Sequence, residues 1–187
     1  MLTRRGFVAV AGCAICSVTG FAATEALAQG AATTANGVTR KVLSRTDGPA
    51  AGYDWPEIEH GVYVDTRGFV WIGGNGKNDH QLLKFTRDGK FVMQIGKKGQ
   101  SKGNKDTQNV NQAADTFYYA KTNELIVADG YGNKRVIVFD ADTGAYKRHW
   151  GAYGNKPDDT DLGPYDPKAP VAKQFRNPVH CAELAHD

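Results

Sequence analysis

The chain has 187 residues, 41% of them hydrophobic and 23% charged, with a formal net charge of +3. So small a charge gives no footing for nucleic-acid or membrane-surface binding. With three cysteines, two of them close to the N-terminus, no disulfide framework is expected.

The first 28 residues read as an export signal. Arg4 and Arg5 precede a small, apolar run with no further charge until Glu25, and Ala26-Leu27-Ala28 has the form of an A-x-A cleavage site. Thr3-Arg4-Arg5-Gly6-Phe7-Val8 resembles the bacterial twin-arginine (Tat) motif. An uncleaved anchor is the competing reading, because residues 6–24 could almost span a bilayer. Val10-Ala11-Gly12-Cys13 also resembles a lipobox, with a very short apolar lead-in. The many Ala and Gly residues favour cleavage. The expectation is a periplasmic or secreted protein, exported through Tat and free of the membrane once cleaved. Of the net +3, the leader carries +1, so the mature chain carries +2. Cys13 and Cys16 fall in the leader, where they read as small apolar residues, and Cys181 is the one mature cysteine.

Residues 29–52, rich in Ala, Thr and Gly, read as a linker or N-terminal arm. From Tyr53 onward, short β-branched and aromatic runs alternate with Gly, Asn and Asp turns, which is strand and turn patterning. Residues 60–96 and 115–151 repeat one another element by element. HGVYVD matches DTFYYA, FVWIGG matches LIVADG, and QLLKFTRDGKFVMQIG matches RVIVFDADTGAYKRHWG. Each repeat predicts four strands, with Gly89 and Gly144 in the last turn. HCAELA, residues 180–185, begins a third copy. Between the second and third copies lies an Asp- and Pro-rich insertion, residues 152–179, long enough to be functional and to overhang a channel.

Tandem four-stranded units are blades of a β-propeller, so the expected fold is all-β. A blade cannot bury both faces alone. Two and a fraction blades do not close a ring, so the reading is a piece of a longer propeller that does not fold alone. A compact β-sandwich would leave the matched order of the repeats unexplained.

The repeat resembles the NHL class of propeller, which tends to six blades. The first strand of each blade lines the channel, and His60, Asp115 and His180 open those strands. Alternate blades of a six-bladed ring stand about 120° apart, so His60 and His180 would form two corners of a three-histidine ring. Three imidazoles with one open position are a catalytic zinc arrangement.

Three motifs narrow the resemblance to peptidyl-α-hydroxyglycine α-amidating lyases. His60-Gly61-Val62 matches the family's His-Gly-aliphatic opening. Asp129, Gly130, Tyr131, Asn133 and Arg135 match its Asp-Gly-Tyr-x-Asn-x-Arg turn. His180 matches the second histidine, and the three occur in order on successive blades. The resemblance implies zinc on His60 and His180, a proton-transfer role for Tyr131, and a structural calcium held partly by the Val62 carbonyl. It implies C–N cleavage of a carbinolamide to an amide and glyoxylate, with a peptide or small molecule as substrate. In the family proline precedes each histidine; here Glu59 precedes His60, and Val179 separates Pro178 from His180. The third zinc histidine would lie beyond Asp187. For the family's catalytic arginine, Arg40 and Arg45 stand in a different context.

Other residues have plainer readings. The two histidines and Tyr131 are also compatible with strand-end hydrogen bonding. Asp115 reads as a strand-end turn residue, with a hydrogen bond that tunes a metal's ligand as the alternative, and Asp129 as an acceptor for turn amides. Gly73-Gly74-Asn75-Gly76-Lys77 lacks the spacing and helix of a phosphate loop. Lys97, Lys98, Lys102 and Lys105 read as a solvated loop. Asp158, Asp159 and Asp161 lack the spacing of a calcium loop. Trp55, Trp71 and Trp150 read as blade packing. A non-catalytic propeller that binds a protein or small ligand at its channel mouth is the alternative function, and a lactonase-type hydrolase is a third.

Overall fold

The computed structural model describes residues 52–185, preceded by the backbone of two short strands, β1 (Thr33–Ala35) and β2 (Val38–Arg40). The leader reading, with Cys13 and Cys16, lies outside the described residues. β1 and β2 pair antiparallel with Thr33 opposite Arg40, so the stretch expected as a linker contains a hairpin.

The body is two four-stranded antiparallel sheets, each in plain sequence order. The first holds β3 (Glu59–Val64), β4 (Val70–Gly74), β5 (Gln81–Phe85) and β6 (Phe91–Gly96). The second holds β7 (Asp115–Tyr119), β8 (Glu124–Asp129), β9 (Arg135–Asp140) and β10 (Tyr146–Trp150). These are the two predicted blades, strand for strand, and the fold is all-β. Among the described residues the sole helical piece is a single 3-10 turn, Ala152–Gly154, and no helix is long and apolar enough to cross a membrane.

Burial follows the sequence pattern. The middle strands VWIGG and QLLKF are buried throughout, as is ELIVAD and all but the last residue of RVIVFD. The outer strands are half exposed. A middle strand has neighbours on both edges and packing against both faces, which suits a continuous apolar run. The core between the blades joins Trp71, Leu82 and Ile95 of the first to Tyr118, Leu125, Val127, Ile137 and Phe139 of the second. Each such side chain contributes roughly 1.5–3 kcal/mol on burial.

The outward faces are covered as well. Tyr53 and Trp55 pack on Val70, Ile72, Leu83 and Phe85 of the first blade. Phe175, Val179 and Ala182 pack on Ile126, Ala128, Val136 and Val138 of the second. Trp71 is fully buried and Trp55 nearly so, whereas Trp150 is partly buried against the second blade's far face. Residues 180–185 form no strand, because no strand among the described residues lies beside them to give a ladder.

All the chain entries and exits that carry the predicted site lie at one end. β3 and β7 start there, β4 and β8 finish there, and the connectors 97–114 and 151–179 run over it. β3 and β7 lie side by side.

Candidate functional site

His60 sits at the second residue of β3, opposite Gly73. The register slips directly after it, between His60 and Val62, and Gly61 absorbs the bulge in the left-handed region at φ +70°. Gly61 also faces the Ala114 carbonyl, which would lie 2.8 Å from a Cβ at that position. A side chain there would push the second blade away. The same carbonyl receives the His60 ring, with Nδ1 at 3.0 Å. A carbonyl only accepts, so Nδ1 carries the proton and Nε2 presents its lone pair.

That lone pair faces Tyr131. The Tyr131 hydroxyl is 3.2 Å from His60 Nε2 and 3.0 Å from His180 Nε2. The three rings meet edge to face, with centroids 5.1 Å (His60–Tyr131), 5.6 Å (Tyr131–His180) and 5.8 Å (His60–His180) apart. With both rings neutral, the protons have one consistent arrangement. The phenol donates to His60 Nε2, and its oxygen accepts from His180 Nε2–H. The two histidines and the tyrosine predicted for the site therefore converge on one point. His60 and Tyr131 are partly exposed and His180 is exposed.

The two glycines flanking Tyr131 explain how an aromatic occupies so tight a turn. A Cβ on Gly130 would overlap the Val179 backbone, and one on Gly132 would overlap the Asn111 side chain. Val179 N–H donates to the Gly130 carbonyl at 3.2 Å, which brings the next residue, His180, to the phenol. On the other side, Tyr131 N–H donates to the Gln112 carbonyl at 3.2 Å and Gly132 N–H to that of Asn111 at 3.1 Å.

Behind this turn is a buried ion pair. Asp129 and Arg135 are both fully buried, with Arg135 Nε 2.8 Å from Asp129 Oδ2. Burial pushes the Asp129 carboxyl up, against the opposing pull of Arg135, the Asn111 amide and the Asn133 side chain. Arg135 also donates to the carbonyls of Asn104, Asp106 and Asn109, so it pins the connector between the blades. Asp129 accepts one backbone amide, that of Asn111 at 2.7 Å, along with two side-chain donors; its role is wider than turn capping.

Asp115 accepts from Thr116 N–H at 2.8 Å, as a strand-end aspartate does. Val62 lies in the edge strand β3 with its side chain exposed, two residues after His60. Asp159 accepts from Asn104, while Asp158 and Asp161 cap Thr160 and Gly163. The insertion is thereby stitched to the first inter-blade loop. Of the loop lysines, Lys97, Lys102 and Lys105 are exposed, and Lys98 pairs with Glu57 at 3.6 Å.

The donor set bears on which metal the residues suit. His60, held through Nδ1 by a backbone carbonyl, has the orientation of a metal-ligating histidine, and His180 turns Nε2 to the same point. Two imidazoles suit zinc and fill two of its four positions. Among the described residues no group of three His, Cys, Asp or Glu side chains is gathered as a ligand set. Calcium takes six to eight oxygens, and one strand carbonyl at Val62 does not make such a site.

No family model matches the chain. Over 85 residues, 45% of the chain, it is 33% identical to a Caenorhabditis elegans protein named probable peptidyl-alpha-hydroxyglycine alpha-amidating lyase. The matched stretch spans 23% of that protein's length. The chain is thus distantly similar to part of a protein carrying the lyase name.

Proposed function

We propose that this is an exported propeller of the amidating-lyase kind, acting on a carbinolamide at the His60–Tyr131–His180 cluster. The observation that supports it is the meeting of one phenol with two imidazole nitrogens at 3.0 and 3.2 Å. His60 and His180 would hold zinc, which when bound supplies Lewis acidity for polarising the substrate's oxygen.

Tyr131 would handle the proton. A nitrogen lone pair serves one partner at a time; holding a metal would take the His60 Nε2 lone pair from the phenol and would require His180 in its other tautomer, protonated on Nδ1, which leaves the Tyr131 hydroxyl to the substrate. In the reaction the carbinol O–H gives up a proton, its oxygen becomes the aldehyde carbonyl of glyoxylate, the C–N bond breaks, and the amide nitrogen takes up a proton. Within hydrogen-bond reach of the carbinol oxygen, Tyr131 as phenolate can accept the first proton, and as phenol it can then return a proton to the amide nitrogen. The Ala114 carbonyl would keep His60 in its tautomer throughout.

The test is glyoxylate release from a peptide ending in α-hydroxyglycine, with the mature, metal-supplied protein and its Tyr131→Phe variant. Release by the wild type that the variant loses supports the reading. No release by folded, metal-loaded wild type overturns it in favour of a binding propeller.

A further inference from the structure

The backbone of the Tyr131 turn is held by residues other than the two histidines that its phenol touches. The turn 130–133 presents its N–H groups to one side and its carbonyls to the other. The N–H groups of Tyr131, Gly132 and Asn133 go to the carbonyls of Gln112 and Asn111. The carbonyls of Gly130, Tyr131 and Asn133 converge instead on one atom, Asn177 Nδ2, each at 2.9 Å. An amide nitrogen has two N–H bonds, so the three acceptors share them. Asn177 belongs to the end of the 152–179 insertion, three residues before His180.

We infer that Asn177 is a positioning residue: its amide locks the Tyr131 turn to the segment that delivers His180, and so fixes the phenol against both imidazoles. The inference rests on the reading of Tyr131 as the working group of the site, but its test does not need activity. Two further contacts make the lock directional. Val179 N–H bonds the Gly130 carbonyl, and Gly130 leaves the room that the Val179 backbone occupies. Asn177 and Val179 therefore grip the same turn from one short segment, with His180 following directly. Tyr131 and His180 move together, while His60 approaches from the first blade.

Without the amide, the carbonyls of Gly130, Tyr131 and Asn133 lose their shared donor and turn to water. The phenol then samples positions away from His60. Asn177→Asp keeps the side-chain shape but has no N–H to give and sets a charge against the three carbonyls, while Asn177→Ala removes the donor without adding charge.

The experiment uses the mature protein with 3-fluorotyrosine placed at position 131. Its fluorine resonance is recorded with and without His60→Ala, in the Asn177, Asn177→Ala and Asn177→Asp backgrounds. A second fluorotyrosine at Tyr146, on the outer strand, serves as the control. In the Asn177 background His60→Ala should move the position-131 resonance, because the contact is direct. In both Asn177 variants that displacement should fall to less than half, with the control resonance unchanged. Should Asn177→Ala not fold, the isosteric Asn177→Asp carries the comparison. An undiminished displacement in the folded variants would overturn the inference. Failure of the lyase reading is separate: it shows as absent glyoxylate in wild type, whatever the fluorine spectra do.

Discussion

The rings of His60 and His180 stand 5.8 Å apart at an interplanar angle of 85°, though they come from the first repeat and from the segment after the second. Tyr131 from the intervening repeat closes the group. Two consecutive blades and the segment that follows them thus each deliver one side chain to a shared point, so the site is contained in no single repeat.

Tyr131→Phe removes the one hydroxyl that both imidazoles address. The ring's packing is kept, so thermal stability should change little. Glyoxylate release should fall by about 10²–10⁴-fold, the usual worth of a positioned proton-transfer group. Single-turnover rates at saturating substrate separate this from weaker binding.

Gly130→Ala should detach the 177–180 segment, because the new Cβ has no room beside the Val179 backbone. Overpacking of this kind costs about 1–3 kcal/mol. The check is the melting temperature together with protease sensitivity of the 152–179 insertion, which should rise.

Arg135→Ala leaves Asp129 buried without its counter-ion and frees three carbonyls of the connector. The expected loss is about 3–5 kcal/mol. Pairing Asp129→Asn with Arg135→Met should cost less than Arg135→Ala, because no lone charge is then buried. Denaturant unfolding of the three proteins measures the difference.

Acid should act through Glu124. Hydrogen bonds from Arg148 at 2.6 and 2.9 Å, with Lys147 nearby, hold its carboxyl at about 2, against an ordinary 4.5. A carboxyl depressed on folding stabilises fully above its unfolded value and loses that contribution as pH falls towards the folded one. The loss therefore falls between about pH 4.5 and 2. Arg148 is half exposed, so solvent screening limits the contribution to about 1 kcal/mol. Glu124→Gln should lower stability at neutral pH and flatten the melting temperature across that acid window.

Much of this was legible in the sequence because it is local. Continuous apolar runs such as LIVAD and RVIVF marked buried strands, and the spacing of the two repeats gave the blades. Strand openings at His60 and Asp115 followed from the same alignment. What stayed hidden depends on distant backbone. Arg135 stands out in sequence only as the last residue of a turn motif, until its guanidinium is seen to hold carbonyls 26 to 31 residues away. Asn177 falls within the 152–179 insertion with no reading of its own, and nothing nearby in sequence announces that it bonds the turn of Tyr131. The Ala114 carbonyl that orients His60 has no side-chain signature at all. The hairpin at 33–40 was missed because three-residue strands of Thr, Ala and Val give too short a pattern to separate from a linker.

The most direct test of the central claim is the metal content of the purified protein beside a His60→Ala/His180→Ala double variant. The account predicts about one zinc per chain in the wild type, lost in the variant while the fold persists. A well-folded wild type with no bound transition metal would contradict it, and would leave the two histidines and Tyr131 as a hydrogen-bonded strut between blades.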